Sequence, residues 1–336
     1  MQRAIELAQL GEGHVAPNPL VGAVLVYKDR IIGEGYHKKY GKAHAEVNCI
    51  NSVLDTDRHL IPLSTLYVTL EPCAHHGKTP PCVDLILSHN IKKVIIAIED
   101  PFHLVGGEGI KKLLNNNIEV ITGILENEAR FQNRKFLTNI INKRPYITLK
   151  WAQSQDAYIG KKDERIILSN QLSHQHAHAL RATHDAILIG KNTAIIDNPS
   201  LNTRFFPGTS PKIILLDPTL EVPLTSKLFA SEQDIYVINN IKENDEENIH
   251  FLRFPEGEFD IMTLNKRLFE KGIHSILVEG GAYALQQFIH SNFWDEAYIY
   301  KCPQILESGI SAPQIKGRTI KISNLQDNQI QQICSF

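Results

Sequence analysis

The 336-residue chain contains no run near the roughly eighteen consecutive apolar residues that a membrane-spanning helix needs, and no charged-then-apolar leader. The expectation is therefore a cytoplasmic protein with neither membrane anchor nor secretory signal. Its five cysteines are too few and too irregularly placed for a disulfide framework, and Cys49, Cys302 and Cys334 read as inert packing. An excess of charge is also lacking: 35 Lys and Arg stand against 37 Asp and Glu, a net charge of -2. That balance speaks against a nucleic-acid binder relying on a broadly basic surface, while leaving room for a local basic pocket around one phosphate. No G-x-G-x-x-G follows an apolar run in the second half, so a nicotinamide cofactor, if bound, needs a fold other than the usual dinucleotide one. What remains is a globular composition, 43% hydrophobic and 21% charged, at a length that predicts two domains.

The first half is organised around Thr69-Leu70-Glu71-Pro72-Cys73-Ala74-His75-His76-Gly77-Lys78-Thr79-Pro80-Pro81-Cys82, read with His44-Ala45-Glu46 upstream. One imidazole and two thiols, His44, Cys73 and Cys82, supply three of the four tetrahedral positions on Zn²⁺ and leave the fourth for water, the ligand count of a catalytic site. Glu46, two residues after His44, is placed to carry protons without binding the metal. H-x-E followed by Pro-Cys and a second cysteine is the pattern of zinc nucleobase deaminases. Here the spacing is stretched to Pro-Cys-x8-Cys, which brings His75, His76 and Lys78 into the loop, where they could hold a phosphorylated substrate.

Apolar, β-branched runs predict strands at residues 21–27, 31–36, 65–70, 94–98 and 120–124, with helices at 43–54, 110–114 and 125–143. His44 and Glu46 should lie in the first turn of the 43–54 helix. Gly106-Gly107-Glu108-Gly109 reads as a tight turn rather than a nucleotide loop. A helix running into Arg144-Pro145 marks the domain boundary, because proline disfavours helix in the residue before it. Beyond it, strands at 146–152, 186–189, 213–216, 235–238 and 276–279 alternate with helical segments, including Gln171–Ala182, as in an α/β layer. Gly280-Gly281, between the last of these strands and a helix, is the best candidate for a phosphate approach, and Gly190 to Thr193 is a weaker one.

Several motifs together resemble the bifunctional riboflavin-biosynthesis deaminase/reductase family over nearly the whole chain. In the first half they are Pro17-Asn18-Pro19-Leu20-Val21-Gly22-Ala23, His44-Ala45-Glu46 and Thr69 to Cys82. In the second they are Thr148-Leu149-Lys150, Leu180-Arg181-Ala182, Asp197-Asn198-Pro199-Ser200-Leu201-Asn202-Thr203-Arg204 and Val278-Glu279-Gly280-Gly281. The resemblance implies an α/β protein: a cytidine-deaminase-like three-layer zinc domain, residues 1–144, followed by a dihydrofolate-reductase-like α/β domain, residues 145–336. It implies zinc-dependent hydrolytic deamination of 2,5-diamino-6-(5-phosphoribosylamino)pyrimidin-4(3H)-one, then NADPH-dependent reduction of the ribosyl group to ribityl. The implied cofactors are one Zn²⁺ per chain and NADPH. The implied partners are small-molecule phosphoribosylaminopyrimidines, with no nucleic acid or membrane, and the working form is a homo-oligomer.

Carried over position by position, the resemblance makes Glu46 catalytic and Asn18, His37, His75 and Lys78 the deaminase substrate contacts. NADPH contacts fall on Ala152, Ile167, Thr193, Asp197, Gly281, Ala282, Tyr283, Ala284, Leu285, Gln286 and Gln287. Reductase substrate contacts fall on Lys150, Arg165, Arg181, Leu201, Arg204 and Glu279, with Arg181 and Arg204 expected to clamp a phosphate. The chain departs from the family where Ser154-Gln155-Asp156-Ala157 replaces Ser-Leu-Asp-Gly, where Ile167 replaces a tryptophan, and where Asp100-Pro101-Phe102-His103 replaces Asp-Pro-Asn-Pro. Two rivals remain. A nucleic-acid base deaminase with an accessory domain would want a charged groove with stacking aromatics. A zinc-stabilised binding protein would want a fourth protein ligand and gives Glu46 no purpose.

Overall fold

The computed structural model describes residues 1–75, 80–101, 106–162 and 164–335. The chain divides into two compact units, Met1–Lys143 and Arg144–Phe336. Among the described residues no helix is long and apolar enough to cross a membrane.

The first unit runs α1 (Gln2–Gln9), β1 (Gly22–Tyr27), β2 (Arg30–Tyr36), α2 (Ala45–Asn51), β3 (Thr65–Leu70), α3 (Cys82–Ser88), β4 (Lys93–Ile98), α4 (Glu108–Asn115), β5 (Glu119–Ile121), α5 (Glu126–Gln132) and α6 (Arg134–Asn142). Its five strands lie in the order β2-β1-β3-β4-β5; β1 is antiparallel to both neighbours, and β3, β4 and β5 are parallel. Alternation along β1 splits its side chains between two layers. Val24 meets Ala4 and Leu7 of α1, whereas Ala23 and Leu25 join Leu66, Val68, Cys49, Ile50, Val83 and Ile86. Gly22 is required by the first of these layers: a Cβ there would stand 1.9 Å from the Ala4 carbonyl oxygen.

The expected helix over 125–143 is two helices. Asn133 interrupts it, 2% exposed, because its side-chain amide pairs with the backbone of Leu20, accepting from Leu20 N–H (2.8 Å) and donating to Leu20 O (2.9 Å). The strand expected over 120–124 is only Glu119–Ile121. His44 is the N-cap of α2, one residue before the helix rather than within its first turn.

The second unit comprises β6 (Tyr146–Gln153), β7 (Tyr158–Gly160), α7 (Gln171–Ala182), β8 (Ala186–Gly190), α8 (Lys191–Asp197), β9 (Lys212–Leu216), β10 (Ile235–Asn239), β11 (Asn244–Glu246), β12 (Ile249–Arg253), α9 (Ile261–Glu270), β13 (Ser275–Glu279), α10 (Ala282–His290), β14 (Glu296–Lys301), β15 (Ile310–Ser311), β16 (Arg318–Leu325) and β17 (Asn328–Cys334). Ten strands form one sheet in the order β11-β12-β10-β9-β8-β13-β6-β14-β17-β16, parallel from β12 to β14 and antiparallel at both margins. The central strands bury both faces. On β8, Ala186 and Leu188 enter one apolar cluster and Ile187 and Ile189 another, which is why they read as continuous apolar runs.

One face of β6 and β14 is polar despite being covered. Ile147, Leu149 and Trp151 point into the apolar cluster, while Thr148 is fully buried and bonds His184 Nε2 (2.8 Å), just beyond the end of α7. On the neighbouring strand, Glu296 accepts from Tyr146 Oη (3.2 Å) and Tyr298 Oη (3.0 Å).

The loop that carries Cys73 is fastened by Glu71. This carboxylate, 6% exposed, accepts four backbone N–H groups: Gly109 (2.9 Å) and Ile110 (3.2 Å) at one oxygen, Asp100 and Gly107 (both 3.0 Å) at the other. Gly109 must lack a side chain, since a Cβ would stand 2.2 Å from Pro72 O. Glu71→Ala strands those donors and is expected to destabilise the first unit by about 3 kcal/mol or more, with Glu71→Gln intermediate, as measured by denaturant melts. In the second unit, Ala157 holds φ +63 on an exposed turn. A left-handed alanine costs about 1–2 kcal/mol and glycine's extra chain entropy returns part of that, so Ala157→Gly should raise stability by roughly 0.5–1 kcal/mol. A lower melting temperature in that variant would contradict the strain argument.

Candidate active sites

In the first unit three segments converge past the start of β1 and the end of β3. His44 caps α2, Cys73 follows β3 by three residues, and Cys82 opens α3. His44 Nδ1 lies 3.7 Å from Cys73 Sγ and 3.3 Å from Cys82 Sγ, and the three donor atoms all fall within 4.8 Å of one another. An imidazole nitrogen and a thiolate sulfur on one tetrahedral zinc stand about 3.6 Å apart, so these residues fit the metal as they are. Cys82 N–H donates to Cys73 Sγ (3.3 Å). Hydrogen bonds from the Cys82 thiol and from His44 draw the Cys73 thiol down, outweighing its burial. That favours the thiolate, the form that binds metal.

Glu46 sits in the first turn of α2, 3% exposed, and burial pushes its carboxyl up to about 7. It is positioned beside the ligand set without belonging to it. His37, also 3% exposed, contacts Ala43 O through Nδ1 (3.1 Å) and Asn18 Nδ2 through Nε2 (3.2 Å). A carbonyl only accepts, so the His37 proton is on Nδ1 and Nε2 accepts from Asn18. The His37 ring meets the His44 ring edge-on at 5.7 Å, which brings Asn18 and His37 to the metal ligands. His75 is exposed on a bend and lines a cleft of about 430 Å³ with Ala74, Glu108, Lys111 and Lys112. Lys78, with His76 and the Phe102-His103 departure, lies outside the described residues.

The second unit places its charged candidates at the carboxyl ends of adjacent parallel strands. Glu279 ends β13 in register with Lys150 of β6. Its carboxylate is gripped by Arg181 in the last turn of α7, through Nε (3.4 Å) and a shorter bond from Nη2, and Lys150 Nζ stands 3.9 Å away. Burial opposes the Glu279 charge, but Arg181 and Lys150 overcome it and hold the acid down to about 2. Arg181 also donates to Asn202 O (3.2 Å), and Arg204 to Asn202 Oδ1 (2.9 Å). The paired contact expected of Arg181 toward a phosphate is thus made to Glu279. Leu201 is 2% exposed at φ +50, its side chain within an apolar cluster. Arg165 is exposed; burial raises the Asp197 carboxyl, and the nearby Arg165 charge opposes that only in part.

Gly280 (φ +95) and Gly281 (φ +71) turn β13 into α10, whose N-cap has no side-chain hydrogen bond. A Cβ on Gly280 would meet Thr193 Cγ2 at 3.2 Å and one on Gly281 would meet Thr193 Oγ1 at 3.1 Å, so the turn fits closely against α8. Backbone N–H groups at a nine-residue helix start, with no side-chain cap bond, suit the pyrophosphate of NADPH. Within Gly281 to Gln287, Ala284 and Leu285 face the core, while Ala282 and Gln287 are half-buried and Tyr283 and Gln286 are exposed. Ile167 is exposed, and Ala152 is half-buried opposite Tyr300 on β14.

Sequence reasoning missed Glu71, although its place directly before Pro72-Cys73 was a usable signal.

Residues 145–335 match the family described as RibD C-terminal domain, and residues 1–98 match the cytidine and deoxycytidylate deaminase zinc-binding region. The chain is 40% identical over 332 residues to the riboflavin biosynthesis protein RibD of Aquifex aeolicus, covering 96% of this chain and 91% of that protein. It is 38% identical to RibD of Bacillus amyloliquefaciens, covering 99% and 92%. A Thermotoga maritima crystal structure, named as a diaminohydroxyphosphoribosylaminopyrimidine deaminase/5-amino-6-(5-phosphoribosylamino)uracil reductase, superposes with a TM-score of 0.90 at 32% identity over 100% of this chain and 97% of that one. With both halves similar along nearly their whole length, the chain belongs to the RibD family, the bifunctional deaminase/reductases of riboflavin biosynthesis.

Proposed function

We propose that the first unit deaminates 2,5-diamino-6-(5-phosphoribosylamino)pyrimidin-4(3H)-one to 5-amino-6-(5-phosphoribosylamino)uracil, and that the second reduces the ribosyl group of that product to ribityl. The observation that carries the reading is the convergence of His44, Cys73 and Cys82 beside a buried carboxyl that is not a ligand. Full-length similarity favours it over a nucleic-acid base deaminase with an accessory domain, and a net charge of -2 agrees.

Zinc, when bound, supplies the Lewis acid that makes water nucleophilic near neutral pH. Glu46 removes a proton from the attacking water, delivers it to the pyrimidine ring nitrogen, and assists departure of the 2-amino group as ammonia. The Asn18–His37 pair presents amide and imidazole edges to the ring, and His75 with Lys78 receives the phosphate side. In the reductase, NADPH supplies the hydride. Gly280, Gly281 and Thr193 hold its pyrophosphate, with Asp197, Ala152, Ile167 and the exposed side chains of α10 along the rest of the cofactor. Lys150, Arg181 and Arg204 supply the cationic donors for the sugar phosphate, Glu279 holds Arg181 in place and offers an acceptor to the sugar, and Arg165 and the Leu201 backbone lie at the margin. Free thiols throughout, including those of the zinc site, suit the reducing cytoplasm.

Glu46→Gln should keep a full complement of zinc and lose ammonia release by about 10²- to 10⁴-fold, the usual range for removal of a proton-transfer group. Deamination at the parent rate would refute the role given to Glu46. Gly281→Val places a β-branched residue at φ +71 against Thr193, so calorimetry should show a raised NADPH dissociation constant while ammonia release is unchanged. Unaltered NADPH binding would remove the pyrophosphate from this turn.

A further inference from the structure

Lys150 has two neighbours of opposite character. On one side Glu279 Oε1 is 3.9 Å from its Nζ, too long for the direct hydrogen bond an unhindered lysine makes to a carboxylate. On the other, the Nζ stands 4.9 Å from the centroid of the Tyr300 ring, within the range of a cation–π contact. The carboxylate is already occupied by the Arg181 guanidinium at both oxygens. The ammonium therefore rests between a partly neutralised acid and an aromatic face, with donor capacity left for a ligand.

The aromatic face is itself fixed. Tyr300 is 0% exposed on β14, and its hydroxyl bonds His176 Nδ1 at 2.5 Å. Burial lowers His176 and raises the Tyr300 phenol, both toward the neutral forms, which suits a phenol donating to an imidazole nitrogen. His176 and Arg181 both lie on α7. One helix thus tethers the ring under Lys150 through His176 and the acid beside Lys150 through Arg181.

We propose that His176 and Tyr300 are positioning residues for the reduction, forming a hydrogen-bonded pair that holds the aromatic face against which the Lys150 ammonium is set, so that it addresses the sugar phosphate instead of collapsing onto Glu279. This rests on the reading that Lys150 faces the reductase substrate. A purely structural role for the pair would change folding stability; a positioning role changes turnover through Lys150.

The test uses the zinc-loaded full-length chain, following NADPH oxidation with separately deaminated substrate. Tyr300→Phe keeps the ring and removes the anchor, and His176→Ala removes its partner. Each should lower kcat for reduction by about tenfold, with KM for NADPH within about twofold and ammonia release unchanged, while His176→Gln, whose amide can also meet the phenol, restores most of the loss. Lys150→Gln should cost more than either. In that background Tyr300→Phe should have no further effect, because the residue it positions is gone. Full turnover by both Tyr300→Phe and His176→Ala, with Lys150→Gln impaired, overturns the positioning pair and leaves the assignment of Lys150 standing. Effects of Tyr300→Phe and Lys150→Gln that multiply also overturn it, since Tyr300 would then act independently. Full turnover by Lys150→Gln overturns the underlying reading itself.

Discussion

Two thiols and an imidazole within 4.8 Å of each other form an arrangement that a protein interior tolerates when a cation takes their lone pairs, and the first unit is arranged to achieve it. His44 is 29 residues from Cys73 and 38 from Cys82, so no local segment could assemble the set. It requires α2 to begin, β3 to end and α3 to begin at one place. The parallel pairing of β3 with β4 forces a crossover through α3, which returns Cys82 to the strand end that Cys73 has just left. Glu71 then fastens the same loop to Asp100, Gly107, Gly109 and Ile110 through four N–H groups, and Gly109 permits the close approach. A charged carboxylate surrounded by backbone donors is a rigid joint, and it adjoins the thiolate that must not move.

The second unit solves a different problem with the same architecture. The charged cluster proposed to receive its substrate also sits where parallel strands end, and the substrate proposed for it carries charge that must be bound rather than withdrawn. Glu279, Arg181 and Lys150 share one end of the sheet, each under 15% exposed at the side chain. Desolvating three charges is unfavourable unless they balance, and one acid between two bases leaves a net positive site suited to a sugar phosphate. The polar face of β6 and β14 under α7 extends that logic: Thr148, Tyr298 and Tyr300 occupy positions that an ordinary core would fill with aliphatic side chains.

Much of this was legible in the sequence where one rule governed. His44, Glu46, Cys73 and Cys82 follow from donor chemistry and spacing. The buried parallel strands β8, β9, β10 and β13 follow from their uninterrupted apolar runs. Legibility failed where tertiary contacts override local composition. Asn133 splits a long helical stretch because its amide is used by Leu20, 113 residues away in sequence. Strands β14 and β17 interrupt their apolar residues with Glu296, Tyr298, Gln329, Gln331 and Gln332, so they lacked the signal of the central strands. The His176–Tyr300 bond joins residues 124 apart, and no spacing rule reaches that far.

The central claim is that the chain houses two chemistries, only one of which depends on the three-donor site. The most direct measurement is to strip the protein of metal with a chelator, verify the loss by elemental analysis, and assay both reactions on the same sample. The account predicts that ammonia release from the diaminopyrimidinone phosphate falls to background and returns on adding zinc, while NADPH-dependent reduction of the deaminated compound continues. Undiminished ammonia release from metal-free protein would contradict it.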